Sequence, residues 1–235
     1  MTRPGERATE AAGEEQDLMS VLGHELRSPL TAIRGAATLL LQAHADLAPE
    51  KVLELLRVID SQAARMADRV DDVLVAGRLD GGRQRVLLEE VELSDVIADV
   101  LDAAREHARG RRIRAPGRVE GVTVQADLQR LTQVFRILLD NAVNLSPPGT
   151  VVEVQVGRGP GVARIEVRDR GPGVVPADRA RIFERGVKLD PAGPGAGLGL
   201  YVAAGLLALM NGSIGVDARP GGGSAFWFTV PASTK

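Results

Sequence analysis

The stretch GHELRSPL, Gly23 to Leu30, sets His24 beside Glu25, with Ser28 one helical turn on and Pro29 directly after it. Neutral imidazole is a competent nucleophile near pH 7. On a helix, residues three and four apart share a face, so His24, Arg27 and Ser28 lie together, while Glu25 is turned away by about 100°. Pro29 removes one helical amide bond and bends the helix near His24. Taken alone, a single histidine is an ordinary surface or core residue, and that reading is kept for His44 and His107.

Four stretches in the second half carry further chemistry. Asp140-Asn141-Ala142 ends an apolar-patterned helix, where an asparagine is ordinarily satisfied by backbone. Asp169-Arg170-Gly171-Pro172-Gly173 follows a strand. It is either a plain loop or an acceptor beside two glycines that let a ligand approach the backbone. In Ile182-Phe183-Glu184-Arg185 the phenyl ring can simply cover the core. Gly195-Ala196-Gly197-Leu198-Gly199-Leu200 leads into a helix, and glycine amides in front of a helix N-terminus suit a phosphate. Neither usual nucleotide loop is present: there is no G-x-x-x-x-G-K-[ST], and no strand-loop-helix unit with an acidic residue about 20 positions on.

These residues need a scaffold, and the apolar spacing predicts one. Residues 1–16 are polar and small, a flexible tail or incoming linker. From Leu18 through Leu41, and again from Val52 through Leu74, apolar residues recur at three- and four-residue steps, the mark of two amphipathic helices. AHADLAP between them is turn-like, with Pro49 at a first helical position. The two make an antiparallel hairpin, and two hairpins pairing into a four-helix bundle bury the stripe economically, which predicts a homodimer. GRLDGGR, Gly77 to Arg83, breaks the second helix and marks the boundary between a domain at 17–80 and one at 84–235.

The second domain mixes element types. RVLLEEVEL, VTVQA, TVVEVQVG and VARIEVRD read as strands, and SIGVDARPGGGSAFWFTV as a final hairpin. Helices are predicted over SDVIADVLDAAREHA with Ser94 as cap, from Asp127 to Pro147-Pro148, and over GLGLYVAAGLLALMN. Helices on one face of a mixed sheet make an α/β sandwich.

Composition narrows the function classes. Aromatics are 3% of 235 residues and the net charge is -2, so neither stacking platforms for single strands nor a general nucleic-acid surface is expected. Absence of cysteine excludes disulfides, thiol nucleophiles and zinc-thiolate sites. No apolar run approaches the roughly 18 residues of a membrane span, and no signal peptide opens the chain, so a soluble, cytoplasmic protein is expected.

In order and spacing, the four later stretches resemble the N, G1, F and G2 boxes of the histidine-kinase ATP-binding domain. GHELRSPLTAI resembles the H-box of the histidine-containing dimerisation domain in sensor histidine kinases, and the resemblance covers about residues 17–232. It implies a Bergerat-type α/β sandwich behind the dimerisation hairpin, ATP and Mg²⁺ as cofactors, and a response regulator receiver domain as partner. His24 would take the γ-phosphoryl of ATP, with Glu25 as base or orienting group and Ser28 aiding dephosphorylation of the partner. Asn141 would hold Mg²⁺ against the phosphates and Asp169 accept from the adenine amino group, with Gly171 and Gly173 permitting close approach. Gly195, Gly197, Leu198 and Gly199 form the phosphate loop, behind a short lid at 189–194. Phe183 belongs to the F box, and Arg185 or Lys188 would supply positive charge. The core would be cytoplasmic, free or as part of a membrane-bound sensor.

Four positions depart from the pattern. Ile137 replaces a second Asn four residues before Asn141, and Asn144 stands where Lys is expected, removing a charge from the phosphate side. Gly186 replaces a second aromatic and Gly23 precedes His24 where Ser or Ala is common. They predict a nucleotide site weakened more than the H-box. They also keep open a degenerate relative, acting as dimeric scaffold or phosphatase. A plain ATPase of the gyrase and heat-shock type has no need of GHELRSP.

Overall fold

A computed structural model describes residues 23, 26–42, 47–106, 108, 110–115, 117, 119–190 and 196–233. His24, Glu25 and Gly195 lie outside the described residues, as does most of the proposed lid. The chain divides into two compact units: one runs to Gly77 and includes Asp190–Leu198, and the other comprises Arg78–Leu189 and Gly199–Lys235.

The first unit is the helical hairpin. Helix α1 covers residues 26–42 and α2 covers Pro49–Asp80, with Pro49 where no helical donor is needed and Glu50 in the favourable first turn. Ala36, Leu55, Val75 and Ala76 are buried, whereas Leu30, Leu39 and Leu41 of α1 and Leu53, Leu56, Val70 and Leu74 of α2 are exposed. The apolar stripe is therefore wider than one hairpin can cover, as expected of a half-bundle.

The last turn of α2 belongs to the second unit. It closes when the amides of Gly82 and Arg83 donate to the carbonyls of Leu79 and Arg78, at 3.0 and 2.8 Å. The unit then builds two sheets. Strands β1 (Glu89–Glu92) and β3 (Thr123–Ala126) form an antiparallel pair. β2 (Arg112–Arg114), β4 (Val151–Gly159), β5 (Val162–Arg168), β6 (Ser213–Ala218) and β7 (Ser224–Pro231) form a five-stranded sheet in the order β2-β4-β5-β7-β6. Among the described residues β2 pairs with β4 in parallel and the other neighbours pair antiparallel.

One face of the larger sheet is apolar. Val152, Val154, Ala163, Ile165, Val167, Phe226, Phe228 and Val230 are buried at alternating positions. Helices α3 (Leu93–Glu106), α4 (Leu128–Leu145) and α5 (Gly199–Leu209) pack side by side in that order, with α4 in the middle. The Phe135 ring of α4 meets that of Phe228 on β7 at 6.3 Å between centroids, tilted 53°. This is the expected α/β sandwich with a helical hairpin before it.

Three sequence expectations change. β1 is only Glu89–Glu92, and Leu87 and Leu88 before it are exposed rather than paired. Ser94 does not cap α3, which already begins at Leu93. Its hydroxyl bonds instead to Glu92 Oε1 and Asp95 Oδ1 at 3.5 and 3.4 Å, while Glu92 Oε1 also accepts from the Val122 amide at 3.2 Å. No strand is among the expected elements at 112–114, where Arg-Ile-Arg offers three residues and almost no alternation, and the pairing of β2 comes from β4.

Candidate functional site

The site is organised around α4. Asp127 caps its start, accepting from the Arg130 amide at 3.1 Å and, through its other oxygen, from the Leu87 amide at 3.0 Å. Leu131, Val134, Leu138 and Leu139 anchor the helix in the core. Asn141, near its end, is half-buried, and Asn144 on the last turn is exposed. Ile137, one turn before Asn141, is buried. Its Cγ2 would lie 3.2 Å from a Cβ placed on Gly199, so it fills the space against the first residue of α5.

Asp169 follows β5 and is 1% exposed. Its Oδ1 accepts from the Gly171 amide at 2.7 Å and the Ser224 amide at 3.1 Å. Its Oδ2 is buried with no hydrogen-bond partner. A buried acceptor left unmatched is costly, and such atoms mark sites completed by something else. Burial raises the Asp169 carboxyl above its ordinary value, while the Gly171 and Ser224 amides and the Arg219 charge pull it back.

The turn after Asp169 is held at both sides. Ser146, buried at the end of α4, accepts from the Arg170 amide at 3.1 Å, and a Cβ on Gly171 would stand 3.0 Å from the Leu145 carbonyl. From the β6–β7 hairpin, Arg219 donates to the Asp169 carbonyl at 3.0 Å and pairs with Glu153 at 2.9 Å. Arg170 donates to the carbonyls of Pro220 and Gly222, at 3.2 and 3.1 Å. Gly223, at φ +97°, admits no side chain, because a Cβ would lie 2.3 Å from the Asp169 carbonyl. Gly173 is half-buried beside this turn.

The third wall is the segment before α5. A 3-10 turn, Arg181–Phe183, packs on α5, with Ile182 buried and Phe183 half-buried. Arg185 pairs with Asp80, the last residue of α2, at 3.3 Å. Tyr201 in the first turn of α5 donates its hydroxyl to the same carboxylate. Lys188 is half-buried. Gly186 has φ +75°, a conformation that a side chain would strain, so glycine here meets a backbone requirement and is not merely a lost aromatic.

Of the sequence-predicted residues, the second unit holds Asn141 and Asn144 on α4, Asp169, Gly171 and Gly173 just after β5, Phe183 in the 3-10 turn, Arg185 and Lys188 beyond it, and Gly199 at the start of α5. Gly197 and Leu198 precede α5 and group with the first unit. Ser28 is exposed on α1. Among the described residues no cluster of three or more His, Cys, Asp or Glu could hold a metal, so a cation here would rely on the Asn141 amide oxygen together with a ligand's own oxygens. Sequence reasoning missed Ser146, Gly223, Ser224, Asp80 and Tyr201. Only the RPGGGS run was a visible signal, since consecutive glycines mark a close backbone approach.

Comparison with known proteins places both units. Residues 14–82 match the family described as the His Kinase A (phospho-acceptor) domain. Residues 126–234 match the histidine kinase-, DNA gyrase B- and HSP90-like ATPase family. Over 96% of its length the chain is 32% identical to the sensor protein DivL of Caulobacter vibrioides, spanning 29% of that protein. It is 34% identical over 95% of its length to the signal transduction histidine-protein kinase/phosphatase MprB of Mycobacterium sp. (strain KMS), spanning 45% of it. The chain thus spans less than half the length of these relatives. Among solved structures, full-length ShkA in complex with AMPPNP matches 94% of the chain and 46% of its own at 33% identity and TM-score 0.63. The mycobacterial sensor histidine kinase MprB matches 63% of the chain and 100% of its own at 28% identity and TM-score 0.57.

Proposed function

The chain belongs to the histidine kinase family, as a phospho-acceptor hairpin followed by an ATPase domain, and on that premise we propose that it is the catalytic core of a two-component sensor kinase. A ring nitrogen of His24 attacks the γ-phosphorus of ATP, the bond to the β-γ bridging oxygen breaks, and ADP leaves. The phosphohistidine then passes its phosphoryl group to an aspartate carboxylate on the receiver domain of a response regulator. The hairpin at 17–80 is the dimerisation and phosphoacceptor domain, and 84–235 the nucleotide-binding one, in a cytoplasmic location. No helix among the described residues is long and apolar enough to cross a membrane.

The observation that carries this reading is the buried, unmatched Oδ2 of Asp169. An exocyclic adenine amino group is a donor of the required kind, and the rigid turn around Asp169 keeps the oxygen from relaxing toward water. Asn141 would hold Mg²⁺, which neutralises phosphate charge when bound. The amides opening α5 and the Gly195, Gly197, Gly199 pattern favour the phosphates, with Arg185 and Lys188 as the candidate cations. Glu25 would accept or orient the His24 proton, and Ser28 would serve hydrolysis of the regulator's phosphoryl group.

The second reading, a dimeric scaffold or phosphatase with weak nucleotide binding, is favoured by the apolar contact of Ile137 with Gly199, where the family pattern has an amide. Incubation with γ-labelled ATP and Mg²⁺ separates the two. The kinase reading expects acid-labile, alkali-stable label on the wild type that is lost in His24→Ala and Asn141→Ala. A folded, dimeric wild type that takes no label sinks it and leaves the scaffold.

A further inference from the structure

The carboxylate of Asp80 stands where two parts of the nucleotide-binding unit meet. It pairs with Arg185 at 3.3 Å and accepts from the Tyr201 hydroxyl. Tyr201 lies in the first turn of α5, the helix end whose unsatisfied amides and dipole favour an anion. The neighbouring Leu79 packs on α5 as well, for a Cβ on Gly205 would lie 2.6 Å from its Cδ1. The last turn of α2 is thereby held on α5 through one apolar and one polar contact, and on the segment after the 3-10 turn through Arg185.

We propose that Asp80 is a resident anion for Arg185, displaced when nucleotide phosphate arrives, so that phosphate occupancy frees the last turn of α2 from the segment that carries Arg185 while Tyr201 keeps it on α5. This rests on the reading of the second unit as a nucleotide site. A guanidinium satisfied by a carboxylate adds almost no net positive charge, so phosphate and Asp80 compete for the same donor. Both partners are about one-third exposed, which keeps the pair weak enough to exchange. Burial, with Asp80 next, pushes the Tyr201 phenol up to about 12, so Tyr201 remains a donor throughout the neutral range and Asp80 keeps one partner while the other is contested.

The test measures binding of AMPPNP and of adenosine, which lacks phosphate, to the whole chain in four variants. Asp80→Asn keeps shape and an acceptor for Tyr201 but removes the competing charge. It is expected to tighten AMPPNP by about threefold to fivefold, the worth of an exposed ion pair, and to leave adenosine binding unchanged. Tyr201→Phe, which loosens Asp80, shifts AMPPNP in the same direction by less. Arg185→Gln weakens AMPPNP, and in the double variant with Asp80→Asn the gain disappears. AMPPNP affinity unchanged or reduced in Asp80→Asn, with a wild-type melting temperature, overturns the proposal. So does a gain that persists without Arg185. Failure of both AMPPNP and adenosine to bind the wild type overturns the nucleotide reading itself, and the proposal with it.

Discussion

Ser146 Oγ accepts from the backbone amide of Arg170 at 3.1 Å and so fastens the turn after Asp169 to the end of α4. The bond crosses between the helix that carries Asn141 and the loop that carries Asp169. The acceptor is held in place: Ser146 is 1% exposed, and its own amide closes α4 on the Ala142 carbonyl at 3.1 Å.

Ser146→Ala removes the acceptor and leaves the Arg170 amide without its partner. The expected cost is about 1 kcal/mol of stability, and nucleotide affinity should fall by roughly fivefold as the turn loosens. Ser146→Thr keeps a hydroxyl and should restore both. A melting temperature and an AMPPNP titration on the three proteins check this. Full affinity in the alanine variant would mean that Gly171 and Arg219 hold the turn without help.

Asp169→Asn should separate stability from binding. The amide oxygen can still accept from Gly171 and Ser224, but the second position becomes a donor where the proposed function requires an acceptor. Adenosine affinity should drop by at least about a hundredfold, the signature of a site built for one hydrogen-bond polarity. Thermal stability should hold or rise, because a buried charge has been removed. A calorimetric titration beside a melt reads both quantities, and parallel loss of the two would point to a collapsed turn.

The same carboxyl sets a pH dependence. Its folded value lies above the ordinary 3.8, chiefly through burial, so the folded chain keeps this proton to higher pH than the unfolded chain does. The stability contribution is therefore full below 3.8 and is lost as pH rises through the folded value. A ligand that donates to the carboxylate favours the charged form, which makes binding release a proton in that window. Adenosine affinity should fall as the pH is lowered into the range above 3.8, and Asp169→Asn should abolish the trend.

Much of this was legible in the sequence because it is local. The helical hairpin follows from apolar spacing, α4 from the Asp127 cap and the Pro147-Pro148 stop, and the β4–β5 hairpin from alternation around Pro160-Gly161. The residues that escaped notice act across long separations. Ser224 reaches Asp169 only because β7 lies beside β5, and Asp80 meets Tyr201 only because the end of α2 lands on α5. β2 is a strand solely by virtue of β4. Gly186 was read by family pattern as a missing aromatic, whereas its φ of +75° is a backbone fact that no spacing rule reports.

Gly186→Phe therefore should not repair the F box. A side chain at φ +75° costs about 1–3 kcal/mol of strain, so the variant should melt lower, and its γ-phosphoryl labelling should match or fall below the wild type. An increase in labelling with unchanged stability would show that the aromatic itself is what the segment lacks.

Ile137 and Asn144 give the opposite expectation. Asn144 is exposed on the last turn of α4, so Asn144→Lys adds a charge without disturbing packing and should raise labelling by a few-fold at negligible cost, an effect that salt weakens. Ile137→Asn is different in kind. The isoleucine is buried against Gly199 at the opening of α5, and an amide there costs about 1–3 kcal/mol unless it finds a partner. With Mg²⁺ and nucleotide present, a metal-bound water or the α5 amides can provide that partner. The substitution should thus lower the melting temperature of the free chain and recover part of the loss when AMPPNP and Mg²⁺ are added, with labelling above wild type. Equal destabilisation with and without nucleotide, together with unchanged labelling, would establish Ile137 as a packing residue whose chemistry the site does not miss.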